Sequence, residues 1–124
     1  MIKILLCDDE VFARDAMANL IKRKGFDVVV ASTGEQCIEL FKKENPTVVF
    51  LDVMLPDLDG DHIHKYLREL KPDVSVYYIT GSETVFTEEN ARSEGAKGYL
   101  PKPVDIDELF KLLDTIKQTF GAQI

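Results

Sequence analysis

The 124-residue sequence predicts an α/β domain in which five parallel strands are doubly wound, covered on both faces by five helices. Three observations carry that prediction. Short apolar runs rich in β-branched residues recur five times. Amphipathic stretches of helical length separate them. The runs are continuous rather than alternating, as in strands covered on both faces. At this length residues 1–124 are expected to form one domain that buries a core without staples. No linker, internal repeat or low-complexity segment divides it.

The first strand is Ile2–Cys7, apolar except at Lys3. Phe12, Ala16, Leu20 and Ile21 share one face of a first helix. Lys22–Arg23–Lys24 in its last turn suit the helix dipole, and Gly25 can take a left-handed cap. Val28–Ala31 is the second strand. Thr33 with Gln36 resembles a capping box for a second helix, whose Cys37, Leu40 and Phe41 point inward. Val48–Leu51 is the third strand. Asp59 can cap a third helix that buries Ile63, Tyr66, Leu67 and Leu70 and stops before Pro72. Val74–Ile79 is the fourth strand, followed by a weakly apolar fourth helix ending near Gly95. Gly98–Leu100 is a short fifth strand. The fifth helix carries Ile106, Leu109, Phe110, Leu113, Ile116 and Phe120 at helical spacing.

Fifteen basic against 22 acidic residues give a net charge of −7. That charge argues against direct nucleic-acid binding by this domain, where a basic patch supplies most of the affinity. Cys7 and Cys37 match neither metal-ligand spacing nor a disulfide framework, and read as small core residues of a reducing compartment. The N-terminal apolar run is too short for a signal peptide, and no stretch approaches the ~18 apolar residues that cross a bilayer. A cytoplasmic location with no membrane contact is expected.

Ligands of doubly wound sheets bind beyond the carboxyl ends of the strands. There the first strand runs into Asp8, Asp9 and Glu10, and the third into Asp52. The fourth runs into Thr80–Gly81–Ser82 and the fifth into Pro101–Lys102–Pro103. Singly, each has an ordinary explanation: Asp caps a turn, Thr before Gly makes one, and Lys between prolines is solvated. Together they place carboxylates, a hydroxyl and an ammonium at one edge. Asp8, Asp9 and Asp52 repel one another unless a cation sits among them. Oxygen-only ligands in an open, wet site suit Mg²⁺ better than Zn²⁺. A carboxylate can attack phosphorus and form an acyl phosphate. The charge spread over three phosphoryl oxygens then calls for Mg²⁺, the Lys102 ammonium, and the Thr80 hydroxyl with a nearby backbone N–H. Asp52, alone on the central strand, is the candidate nucleophile; Asp8 and Asp9 are better placed to hold metal.

In order and at their spacings, these residues resemble a known family. They are Asp8–Asp9–Glu10, the run Leu51–Asp52–Val53–Met54–Leu55–Pro56–Asp57–Leu58–Asp59–Gly60, Thr80–Gly81, and Tyr99–Leu100–Pro101–Lys102–Pro103. They resemble the chemotaxis-regulator-like receiver domains of bacterial two-component response regulators, from about Ile2 to the last helix. The resemblance implies a flavodoxin-like strand order 2-1-3-4-5. It implies transfer of a phosphoryl group to Asp52 from the phosphohistidine of a sensor histidine kinase or phosphotransfer protein. It further implies Mg²⁺ held by Asp8, Asp9, Asp52 and the backbone carbonyl of Met54, with Lys102 on the phosphoryl group. The Lys102–Pro103 bond would be cis. Thr80 would move toward the phosphoryl oxygen and Tyr99 turn inward behind it, altering the face of the fourth helix, fifth strand and fifth helix. A downstream effector protein or output domain would read that face. Such a domain is a phosphoacceptor that assists its own phosphorylation and dephosphorylation, not an enzyme acting on other substrates.

Tyr99 has a plainer reading as an aromatic covering apolar surface on an edge strand. His62 and His64 are expected at the surface of the third helix, away from the strand ends. A phosphohydrolase of the haloacid-dehalogenase type would need an Asp at position 54, where Met stands. A flavin module would need a phosphate loop where Asp8–Asp9–Glu10 stand, and a nucleotide-triphosphatase a Walker sequence. The alternative that keeps the fold is a protein-interaction module that does not use phosphorylation.

Overall fold

In the computed structural model, which describes residues 2–81, 92–93 and 95–121, all five apolar runs form strands. These are β1 (Lys3–Cys7), β2 (Asp27–Ala31), β3 (Val48–Asp52), β4 (Ser75–Thr80) and β5 (Gly98–Pro101). Every pairing is parallel, and the order is β2-β1-β3-β4-β5. The hydrophobic pattern explains the order. β3 and β4 are buried at every residue and β1 at all but its first, whereas β2 and β5 alternate with exposed positions, as edge strands do.

The helices are α1 (Val11–Arg23), α2 (Gly34–Glu44), α3 (Gly60–Leu70) and a C-terminal helix (Ile106–Ile116) that runs into a π-turn at Lys117–Gly121. The expected fourth helix falls mainly on residues outside those described. Arg92 and Ser93 are helical, and Gly95 closes that segment at φ +91°. Alternation along the strands splits the core in two. Leu5, Cys7, Val49, Leu51 and Tyr78 face α2 and α3. Ile4, Leu6, Val48, Phe50 and Ile79 face α1 and the C-terminal helix. Among the described residues no helix is long and apolar enough to cross a membrane.

The Thr33 cap on α2 is present, with Gln36 N–H donating to Thr33 Oγ1 at 3.1 Å; the return bond goes one residue further back, Gln36 Oε1 accepting from Ser32 N–H at 2.8 Å. Gly25 takes the left-handed conformation expected of it, φ +93°. Several side-chain expectations fail. Phe12 is 93% exposed, and α1 buries Met17, Ala18 and Ile21 instead. Its first turn begins beyond the carboxyl end of β1, past the sheet that would have covered Phe12. In α3 the buried strip is Gly60, Ile63, His64 and Leu67, leaving Tyr66 and Leu70 exposed. His64 is therefore a core residue, 1% exposed, and only His62 lies at the surface. The imidazole is tolerated because His64 Nδ1 shares a 2.6 Å hydrogen bond with the Tyr78 hydroxyl. Asp59 stands at the N-cap position of α3 without capping; its carboxylate lies 3.7 Å from His62 Nδ1.

Candidate functional site

Strand order reverses between β1 and β3, and the carboxyl ends of these two neighbours bring Asp8 and Asp52 together. Both are buried. Lys102 follows the edge strand β5, whose pairing with β4 is extended by a 2.6 Å bond from Lys102 N–H to the Thr80 carbonyl. Its side chain reaches across the end of β4. Nζ donates to Asp52 Oδ2 at 2.8 Å, Asp8 Oδ1 at 3.1 Å and Glu10 Oε1 at 3.1 Å. Met54 N–H donates to Asp52 Oδ1 at 2.9 Å, and Glu10 N–H to Asp8 Oδ1 at 3.0 Å.

One ammonium thus serves three carboxylates, and the local charge stays negative. Burial pushes the Asp52 carboxyl above its ordinary value; the bonds from Lys102 and Met54 oppose that shift, and the charge of Asp8 adds to it. Burial alone would lower Lys102, but the hydrogen bond to Asp52 and the charges of Asp52 and Asp8 outweigh it and hold the ammonium well above its usual range. Lys102 is therefore a permanent cation here. Carboxylate oxygens of Asp8, Glu10 and Asp52 all lie within 4.8 Å of one another. An oxygen-only, net-negative donor set opening onto solvent fits a hard divalent cation that keeps some of its water.

The other predicted residues distribute as follows. Asp9 is exposed and lines the same cavity, while the acids whose carboxylate oxygens meet are Asp8, Glu10 and Asp52. Thr80 is buried at the end of β4, where its hydroxyl donates to the Gly81 carbonyl at 3.3 Å. Tyr99 is partly buried on β5, in register with Tyr78, and packs against the core. The Lys102–Pro103 bond is cis. Met54 is 62% exposed, so its backbone rather than its side chain ties it to the site. Gly60 is required nearby: a Cβ there would lie 2.7 Å from Val53 Cα, closer than the backbone permits.

A cavity of about 750 Å³ opens over the cluster, lined by Asp8, Asp9, Glu10, Asp52, Met54, Gly81 and Lys102. It continues between α1 and the C-terminal helix past Ala13, Ala16, Leu20, Val104 and Ile106. A buried carboxylate beside a fixed ammonium, in an oxygen-only donor set beneath an open cavity, has the chemistry of a phosphoacceptor class of site.

Comparison with known proteins agrees. The family model for the response regulator receiver domain matches residues 4–114, and the chain belongs to that family. It is 37% identical over 112 residues to the transcriptional regulatory protein TrcR of Mycobacterium tuberculosis, covering 87% of this chain and 42% of that protein. It is 32% identical over 108 residues to the response regulator MprA of Mycolicibacterium vanbaalenii, covering 87% and 47%. The chain spans about half the length of these curated relatives. Among solved structures, a response regulator receiver domain protein from Clostridium thermocellum superposes with a TM-score of 0.89 at 26% identity, over 100% of both chains. The REC domain of AraT from Geobacillus stearothermophilus gives 0.87 at 29%, over 98% of this chain and 96% of that one.

Proposed function

We propose that residues 1–124 act as one receiver domain that accepts a phosphoryl group on Asp52. The observation that carries this reading is the buried Asp52 carboxylate held between the Met54 N–H at 2.9 Å and the Lys102 ammonium at 2.8 Å, at the floor of an open cavity. The Met54 N–H holds Oδ1, and Oδ2 attacks as the Lys102 ammonium moves from it to the phosphoryl group. The Oδ2–P bond forms as the P–N bond of a phosphohistidine breaks, and the proton needed by the departing imidazole comes from the donor protein or solvent. Lys102 then holds one phosphoryl oxygen, and the Thr80 hydroxyl takes another after releasing the Gly81 carbonyl.

Asp8, Asp52, the Met54 carbonyl and an acid from the Asp9–Glu10 pair would hold Mg²⁺. Its presence would neutralise charge on the phosphoryl oxygens. The donor is a sensor histidine kinase or phosphotransfer protein, and the domain assists its own phosphorylation and dephosphorylation without acting on other substrates. Thr80 and Tyr99 would link the site to an output face on β5 and the C-terminal helix, read by an effector protein or output domain. Those relatives are about twice as long, consistent with receivers joined to output domains. The absence of a spanning helix among the described residues agrees with a cytoplasmic setting.

Intact mass after incubation with acetyl phosphate tests the reading. One phosphoryl adduct that requires both Mg²⁺ and Asp52, and is missing in Asp52→Ala, is expected. An adduct that survives Asp52→Ala would overturn it.

A further inference from the structure

We propose that Asp57 is a positioning residue: its carboxylate, bonded to the start of α2, holds the β3–α3 loop so that the Met54 backbone stays on Asp52. The inference rests on the roles given above to Asp52 and Met54. Asp57 Oδ1 accepts from Gly34 N–H at 2.7 Å, and Oδ2 from Glu35 N–H at 3.0 Å. These bonds, Gly34 first, keep the carboxyl below its ordinary range although it is exposed.

The helix has a cap of its own: Thr33 Oγ1 accepts from Gln36 N–H at 3.1 Å, and Gln36 Oε1 accepts from Ser32 N–H at 2.8 Å. Asp57 takes the two first-turn donors that this cap leaves, Gly34 and Glu35 N–H, and so joins the loop to the helix. That loop is tied at its base by Gly60 N–H donating to the Val53 carbonyl at 2.8 Å and by the Met54–Asp59 bridge. Asp57 ties its tip, and tip and helix lie so close that a Cβ on Gly34 would come within 2.9 Å of Leu58 Cβ. Because the Met54 side chain is largely exposed, packing alone does not set where its N–H and C=O point. A tether that orients a ligand without touching the metal is worth about tenfold or more in metal affinity.

The test uses the full chain with Asp57→Ala, Asp57→Asn and Thr33→Ala. Two quantities are read: hydrogen exchange of the Met54 amide in metal-free protein, and the Mg²⁺ dissociation constant from an NMR titration. Asp57→Ala should lose Met54 protection and bind Mg²⁺ about tenfold more weakly. Asp57→Asn, which keeps one acceptor, should fall between. Thr33→Ala removes the helix's own cap at comparable cost to stability, and should change neither. Wild-type protection in Asp57→Ala, or an equal loss in Thr33→Ala, would overturn the proposal. Should the wild type bind no Mg²⁺, the reading of the acidic cluster fails, while Met54 exchange still decides the role of Asp57.

Discussion

Asp8 and Asp52 at the carboxyl edge of the sheet, and His64 beneath α3, are equally hidden: 2%, 4% and 1% exposed. Their surroundings differ in kind. The two acids accept hydrogen bonds from a shared ammonium, under a cavity open to solvent. His64 is walled into the core, neutral, with one nitrogen bonded to Tyr78 and Nε2 without a hydrogen-bond partner among the described residues. Burial alone does not mark a functional group. A buried acid that shares an ammonium beside an opening points to chemistry, whereas a buried imidazole driven neutral inside the core points to packing.

The largest effect should come from removing the shared cation. Lys102→Met leaves Asp8 and Asp52 facing each other, and unfolding free energy at pH 7 without divalent cation should fall by about 3–5 kcal/mol. Mg²⁺ should return part of it. Urea denaturation with and without Mg²⁺ measures both; a loss under about 1 kcal/mol, indifferent to Mg²⁺, would mean that the pair behaves as a surface salt bridge.

Next comes the pH response of the neutral site. Burial, and then the charge of Arg68, lower the His64 pKa from 6.5 to about 4. The unfolded chain therefore takes up this proton first as pH falls. The contribution is complete above pH 6.5 and is lost on descending to about 4, on the order of 3 kcal/mol across that window. His64→Phe should flatten that descent relative to wild type in urea melts at stepped pH. Parallel curves would show that His64 protonates freely in the fold.

The smallest effect separates the regions. Tyr78→Phe strips the Nδ1 partner from His64 and should cost about 1–3 kcal/mol, leaving the rate of phosphorylation by acetyl phosphate unchanged. A slowed rate would show that the core pair and the site are coupled.

The two regions also differ in how far the sequence discloses them. Acids and a lysine at strand ends are legible because a parallel sheet gathers its carboxyl termini at one edge; Asp8, Asp52, Thr80 and Lys102 follow from the strands alone. The Thr33 cap on Gln36 N–H is legible because capping is local. His64 is not, because the inward face of a helix is set by packing. Turning α3 by about one residue exchanges Tyr66 for His64. Phe12 fails for a similar reason, since helical periodicity does not say where the sheet beneath it ends. That Glu10 joins Asp8 and Asp52 turns on the backbone path after β1, which the identity of the residues does not encode. Asp57 escapes notice because its partners lie more than 20 residues away in sequence.

The central claim is tested most directly by locating the acyl phosphate. Protein phosphorylated by acetyl phosphate with Mg²⁺ is treated with borohydride, which reduces an aspartyl phosphate to homoserine, and the digest is read by mass spectrometry. Homoserine at position 52 and at no other acid is the predicted result. Reduction at Asp8, Asp9 or Glu10 in place of position 52 would contradict the account.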